Sequence, residues 1–380
     1  MKLDADMQLD SLYNLGPVLH LLAMGALVAM LPLCWVWLRN PRASTAHRVQ
    51  LLTAITLFVT FDLVLFGAFT RLTDSGLGCP DWPGCYGHAS PVGAQTAIEL
   101  AQSQMPTGPV THTKAWIEMV HRYMAMAVGG LILTLTAFAW VRRLRGDERA
   151  QVVLPTLTLV WVCLQGAFGA LTVTMKLFPL VVTLHLVGGL MLLALLTLQV
   201  QRQRQSAGVL KRLAMGTSLR VGLCLGLFML IVQVLMGGWV STNYAVLACN
   251  TFPQCQNSWW PLMDFAQGFT LWRPLGLDAH GQVLRFESLT AIHYTHRLAA
   301  YVVLTYLGGL AWRLHRVAAL RTSVIGLWAL LGLQLLTGLS NVVLDWPLFT
   351  AVLHTGGAAA LMVLLVGLLA GTRATRDALN

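Results

Sequence analysis

Charge is what this sequence has least of: 11% of its 380 residues are Asp, Glu, Lys or Arg, against 56% hydrophobic. The apolar residues fill long blocks instead of recurring at the spacing of a surface helix, which excludes a soluble globular core. Carboxylates are scarcest, 15 against 25 basic residues, and they form no cluster in the apolar blocks of the kind a proton relay needs. No two cysteines stand at the short spacing of most zinc-thiolate sites. The N-terminus, with Lys2 among Asp4, Asp6 and Asp10, lacks the basic start of a secretory signal and the arginines of a transit peptide. The first apolar run is therefore expected to remain as a membrane helix, and a bacterial plasma membrane is favoured over an imported organellar location.

What is present in their place is a series of runs long enough to cross a bilayer, which takes about 20 apolar residues. Val221 to Val240 and Val152 to Val173 carry no formal charge at all. The pattern predicts about nine spans, near 17–38, 51–70, 116–141, 152–173, 180–200, 221–240, 289–312, 322–343 and 349–371. The net charge of +10 sits in alternate connections. These hold Arg39, Arg42 and Arg48; Arg142, Arg143, Arg145 and Arg149; Arg202, Arg204, Lys211 and Arg212; Arg313, Arg316 and Arg321; Arg373 and Arg376. Such an asymmetry marks the cytoplasmic side. It puts the N-terminus outside, the C-terminus inside, and segments 71–115, 174–179, 241–288 and 344–348 outside. The expected partner of the basic charge is the lipid bilayer, not nucleic acid.

The chain repeats itself. Gly67-Ala68-Phe69 recurs as Gly237-Gly238-Trp239, and Cys79 and Cys85 recur 170 residues later as Cys249 and Cys255. His121-Arg122 recurs as His296-Arg297, Leu164-Gln165 with Gly169 as Leu333-Gln334 with Gly338, and His185 as His354. Four spans per half return the chain to its starting side, so the halves are parallel repeats about an axis along the membrane normal. The expected fold is an all-α integral membrane protein of two pseudo-symmetric parallel four-helix bundles plus one extra N-terminal helix. Its divisions fall at 1–50, 51–205 and 206–380.

A single intramembrane histidine is ordinarily explained by an interhelical hydrogen bond. Here two duplicated pairs, His121 with His185 and His296 with His354, lie at one depth near the outer ends of their spans. That arrangement suits axial ligation of haem between helices better than zinc or copper, because each half offers only two imidazoles and no adjoining thiolate. His20, His47, His88, His112, His280 and His315 fall at or beyond span ends and are expected to be solvated. Glu118 lies three residues before His121 on the same helix face, and in the second half His293 takes its place. This difference suggests one reacting half and one supporting half. Arg122 and Arg297 are placed to neutralise propionates or to reach headgroups. Asp62, without a counterpart, is expected to make an interhelical hydrogen bond.

Cys34, Cys163 and Cys224 lie within spans and read as small apolar residues. The two outer pairs, Cys79 with Cys85 and Cys249 with Cys255, are expected to form disulfides on an oxidising side. Both a plain staple and a working dithiol are open.

Taken together, these residues resemble the haem A synthase family, over about residues 51–371. The motifs are Thr70-Arg71-Leu72-Thr73 running into Ser75-Gly76-Leu77-Gly78-Cys79 with Trp82, Pro83 and Cys85; Glu118 with His121-Arg122; His185; His296-Arg297; and His354. The resemblance implies oxidation of the C8 methyl of haem O to a formyl group in two steps, giving haem A for terminal oxidases. By it His121 and His185 would hold the substrate haem, Glu118 would be the essential acid, and His296 and His354 would hold a haem b. Haem O synthase, oxidase assembly factors and further copies of the chain are the implied partners. The extra N-terminal helix and the second cysteine pair depart from the simplest pattern. A dihaem electron-transfer cytochrome would use the same histidines but leave Glu118 without a purpose, and two haem sites at one surface make no relay across a bilayer. A transporter would be expected to place its polar groups at the midplane.

Overall fold

The computed structural model describes residues 16–148 and 150–375. The acidic N-terminus, Arg149 and Arg376, used above, lie outside the described residues. Among the described residues nine long helices follow one another: α1 (Gly16–Arg39), α2 (Thr45–Leu72), α3 (His112–Leu144), α4 (Val153–Thr174), α5 (Pro179–Ser206), α6 (Thr217–Thr242), α7 (Phe286–Leu314), α8 (Arg321–Val343) and α9 (Leu348–Gly371).

Helices α2 and α3 run beyond their apolar stretch from capped N-termini. The Ser44 hydroxyl accepts the His47 N–H ahead of α2, and Thr111 accepts the Lys114 N–H ahead of α3. Pro179 opens α5, where its missing N–H costs nothing. Among the described residues, eight helices have the length and hydropathy to cross a membrane. The exception to the nine expected is α7, which at 29 residues is long enough. Glu287, His293, Tyr294, His296 and Arg297 lower its hydropathy, so the helix least like a span is one that carries candidate ligands.

Helix α2 packs on α3 and α5, and α4 on α3 and α5, so that α3 and α5 stand at opposite corners. In the second half α6 and α8 each touch α7 and α9 in the same way. The halves meet through α5 and α2 on α9 and through α5 on α6, around a core including Leu190, Leu193, Leu223, Leu307, Leu327 and Leu365. At the cysteine-loop end two contacts join residues 170 positions apart. The Arg71 guanidinium donates to the Ser241 carbonyl at 2.5 Å, and the Tyr244 hydroxyl donates to Asp74 at 2.6 Å. Helix α1 lies on α3 and α2 outside the first ring.

Two short strands depart from an all-helical expectation. Strand β1 (Leu213–Gly216) pairs in parallel with β2 (Thr372–Thr375), in register Leu213 to Thr372. The connection into the second half and the segment after α9 run side by side there, and Arg220 reinforces the pair by donating to the Thr372 carbonyl at 2.6 Å.

Candidate functional site

The four histidines keep matched places in the fold. His121 and His296 lie about 14 Å along α3 and α7 from their first residues, and His185 and His354 about 9 Å along α5 and α9. Each ring rests on a glycine of a neighbouring helix. A Cβ would lie 3.0 Å from the His121 Cε1 if added at Gly67, and 2.9 Å from that of His296 if added at Gly237. The corresponding values are 3.6 Å from His185 for Gly169 and 3.3 Å from His354 for Gly338. The repeat displays these glycines in sequence, but only the fold shows that they make room for the imidazoles.

His121 and His185 stand on α3 and α5, and His296 and His354 on α7 and α9, the opposite corners of the two rings. All four side chains keep some accessible surface between the helices. Among the described residues no three His, Cys, Asp or Glu side chains gather as they would around a small ion. Two imidazoles on opposite corners of a ring of helices have the donor chemistry that haem iron takes.

Glu118 is buried at 3% exposure, with both oxygens engaged. One accepts the Cys79 backbone N–H at 2.8 Å and the other pairs with Arg122 at 2.5 Å. Arg122 also donates to the carbonyls of Asp81, Pro83 and Gly84. Glu118 and Arg122 thus hold the first cysteine loop against α3. Gly78 makes that approach possible, since a Cβ there would collide with the backbone of Lys114 and Ala115. Spacing sets Glu118 beside His121, whereas its bond to Cys79 spans 39 residues and is visible only in the fold.

The second half keeps the arginine and loses the acid. Arg297 donates to the carbonyls of Cys249, Thr251 and Gln254 at 2.9, 2.6 and 2.8 Å. His293, buried where Glu118 stands in the first half, sets its Nδ1 3.0 Å from the Ala245 carbonyl. In both halves the arginine grips loop carbonyls, so positioning of the loop is the role these contacts serve. Arg297→Ala is expected to strand three carbonyls and destabilise the protein by about 3 kcal/mol or more, from the cost of unmade buried hydrogen bonds. A fall in the thermal unfolding temperature of the purified variant would register it; an unchanged temperature would show the bonds to be dispensable.

Cys79 is bonded to Cys85 and Cys249 to Cys255, all four buried beneath their loops. Cys34, Cys163 and Cys224 are free and exposed. Labelling of thiols in the purified protein should therefore modify the four loop cysteines only after reduction. Four loop thiols reactive beforehand would contradict this.

The remaining candidates do not join the site. His20, His47, His88, His280 and His315 are exposed, and His112 lies half-buried 3.8 Å from Glu99. The expected interhelical hydrogen bond of Asp62 is not formed among the described residues.

Residues 50–366 match the COX15-CtaA family, described as cytochrome oxidase assembly protein. Over 315 residues the chain is 40% identical to a haem A synthase of Shewanella oneidensis, covering 83% of this chain and 94% of that one. Over 343 residues it is 30% identical to a haem A synthase of Chelativorans, covering 84% and 88%. A haem A synthase of Bradyrhizobium is 28% identical over 339 residues, covering 82% and 87%.

Proposed function

The chain belongs to the haem A synthase family, and from that premise we propose that its first half, residues 51–205, is where haem O is oxidised at its C8 methyl to the formyl group of haem A. The observation that carries this reading is the buried Glu118 beside His121, with His293 in its place in the second half. His121 and His185 orient the substrate haem, and the cysteine loop held by Arg122 covers Glu118 from solvent. Glu118 takes up a proton at the reacting carbon or meets the positive charge that develops there. In cells supplied with haem O, the wild-type chain is expected to yield extractable haem A. Extracts holding haem b and no oxidised haem O would overturn the reading.

The second half, residues 206–380, is read as the seat of a haem b held by His296 and His354. Paired imidazoles with accessible surface, set on opposite corners and resting on Gly237 and Gly338, fit that group. Haem b, when bound, supplies one-electron transfer next to the reacting half.

The contacts between ring neighbours support two side-by-side four-helix bundles with α1 added outside. The two contacts between residues 170 apart support an axis between the ends of α2 and α6. The arginines gathered at the opposite end of the helices support a cytoplasmic face there, with cysteine loops and haem sites toward the outside of a bacterial plasma membrane. Haem O synthase and oxidase assembly factors are the partners this placement suits.

A further inference from the structure

The four histidines are matched in position but not in what holds their rings. His354 Nδ1 lies 2.9 Å from the Thr337 hydroxyl oxygen. The Thr337 hydroxyl also donates to the Leu333 carbonyl at 2.7 Å, which leaves its oxygen lone pairs for the ring. With the imidazole proton on Nδ1, this contact leaves Nε2 the lone pair with which a neutral histidine ligates a metal. Gln334 further ties the helix by donating to the His354 carbonyl at 2.8 Å. Gln233, on α6, donates its amide N–H to the His296 carbonyl on α7 at 3.1 Å, and the same nitrogen stands 3.0 Å from His296 Nδ1.

Among the described residues the first half makes none of these hydrogen bonds, although Gln165 stands where the second half has Gln334. By the offsets of the repeat, Phe168 stands where the second half has Thr337, and Leu63 where it has Gln233. Neither side chain can hydrogen-bond. His121 Nδ1 and His185 Nδ1 are buried without a partner among the described residues.

We propose that Thr337 is a positioning residue that fixes His354 as a permanent axial ligand, and that Phe168, by offering no acceptor, leaves His185 able to release the haem it binds. The inference rests on the reading of these histidines as haem ligands. A hydrogen-bonded second nitrogen fixes the tautomer and orientation of a ligand histidine and raises its basicity; its loss typically weakens metal binding by about 10–100-fold. A resident redox group gains from such a lock. A substrate site does not, because the product must leave after each turnover. The division between holding and releasing is thus written at two residues that touch no reacting atom.

The test uses purified full-length protein with haem in place, mixed with an excess of a soluble haem-scavenging apoprotein, and follows haem transfer by absorbance alongside a redox titration. Thr337→Val removes the acceptor with little change in volume. It is expected to speed loss of the second-half haem about 10–100-fold. It should also shift that haem's reduction equilibrium toward the ferrous state about tenfold, which is about 59 mV for one electron. Thr337→Ser should restore both. Phe168→Thr should slow release from the first half, and it decides the matter if Thr337→Val does not fold. Release and potential unchanged in Thr337→Val, or release unchanged in Phe168→Thr, would overturn the proposal. His354→Ala separates the two levels: if it keeps the second-half haem, the ligand reading fails. If it loses that haem while Thr337→Val behaves as wild type, this inference alone fails.

Discussion

Glu118→Gln is expected to lower haem A formation by about 10²–10⁴-fold, the usual effect of removing a positioned general acid or base, while the haem b spectrum stays intact. Glutamine has nearly the shape of glutamate and can still accept the Cys79 N–H. It cannot take a proton, and its amide donors would face Arg122 where a carboxylate oxygen now lies 2.5 Å away. Arg122 keeps its three loop carbonyls in such a variant, so the first cysteine loop should remain seated. The measurement is the ratio of haem A to haem O extracted from cells supplied with haem O, with total haem b as the internal control. Wild-type conversion in Glu118→Gln would deny the residue a chemical role and leave it as a strut for the loop.

The second large effect is expected at the other end of the repeat. His354→Ala should reduce haem b occupancy to below about a tenth, in line with the sensitivity of metal sites to their ligand environment. Under the proposed reading haem A formation should fall with it, because the second-half haem would take the electrons from the reacting half. The variant removes the ring that packs on Gly338 and bonds to Thr337, without touching Glu118 or its loop. Haem b quantified per protein, beside product formation, checks both halves of the expectation. A variant that lost its haem b and still produced haem A at the wild-type rate would break the link between the bundles.

What could be read in advance followed from periodicity and repetition. The long uncharged runs marked the helices to within a few residues, apart from the caps such as Ser44 and Thr111 that carry them further. The offsets picked out His121, His185, His296 and His354 together, which no single histidine could have done. The apolar scarcity of α7 shows where that signal weakens, since ligands and loop anchors lower the very hydropathy that marks a span. The contacts of Glu118 were beyond reach, because the Cys79 N–H comes from 39 residues away through a loop whose path depends on Gly78. Arg122 and Arg297 were visible as partners of something anionic or polar, but direction along a helix end decides between propionate and loop carbonyl. Thr337 was legible in principle: comparison with Phe168 at the matching place would have exposed it.

Two matched histidine pairs are proposed to serve unequal ends, the first for a substrate that is changed and released and the second for a resident haem. Haem extraction and mass identification on purified wild type, His185→Ala and His354→Ala, from cells supplied with haem O, test it most directly. The expected result is haem b together with haem O or its oxidised forms in the wild type, loss of the haem O-derived species alone in His185→Ala, and loss of haem b in His354→Ala. Haem b as the sole species in the wild type, or loss of the same haem from both variants, would contradict it.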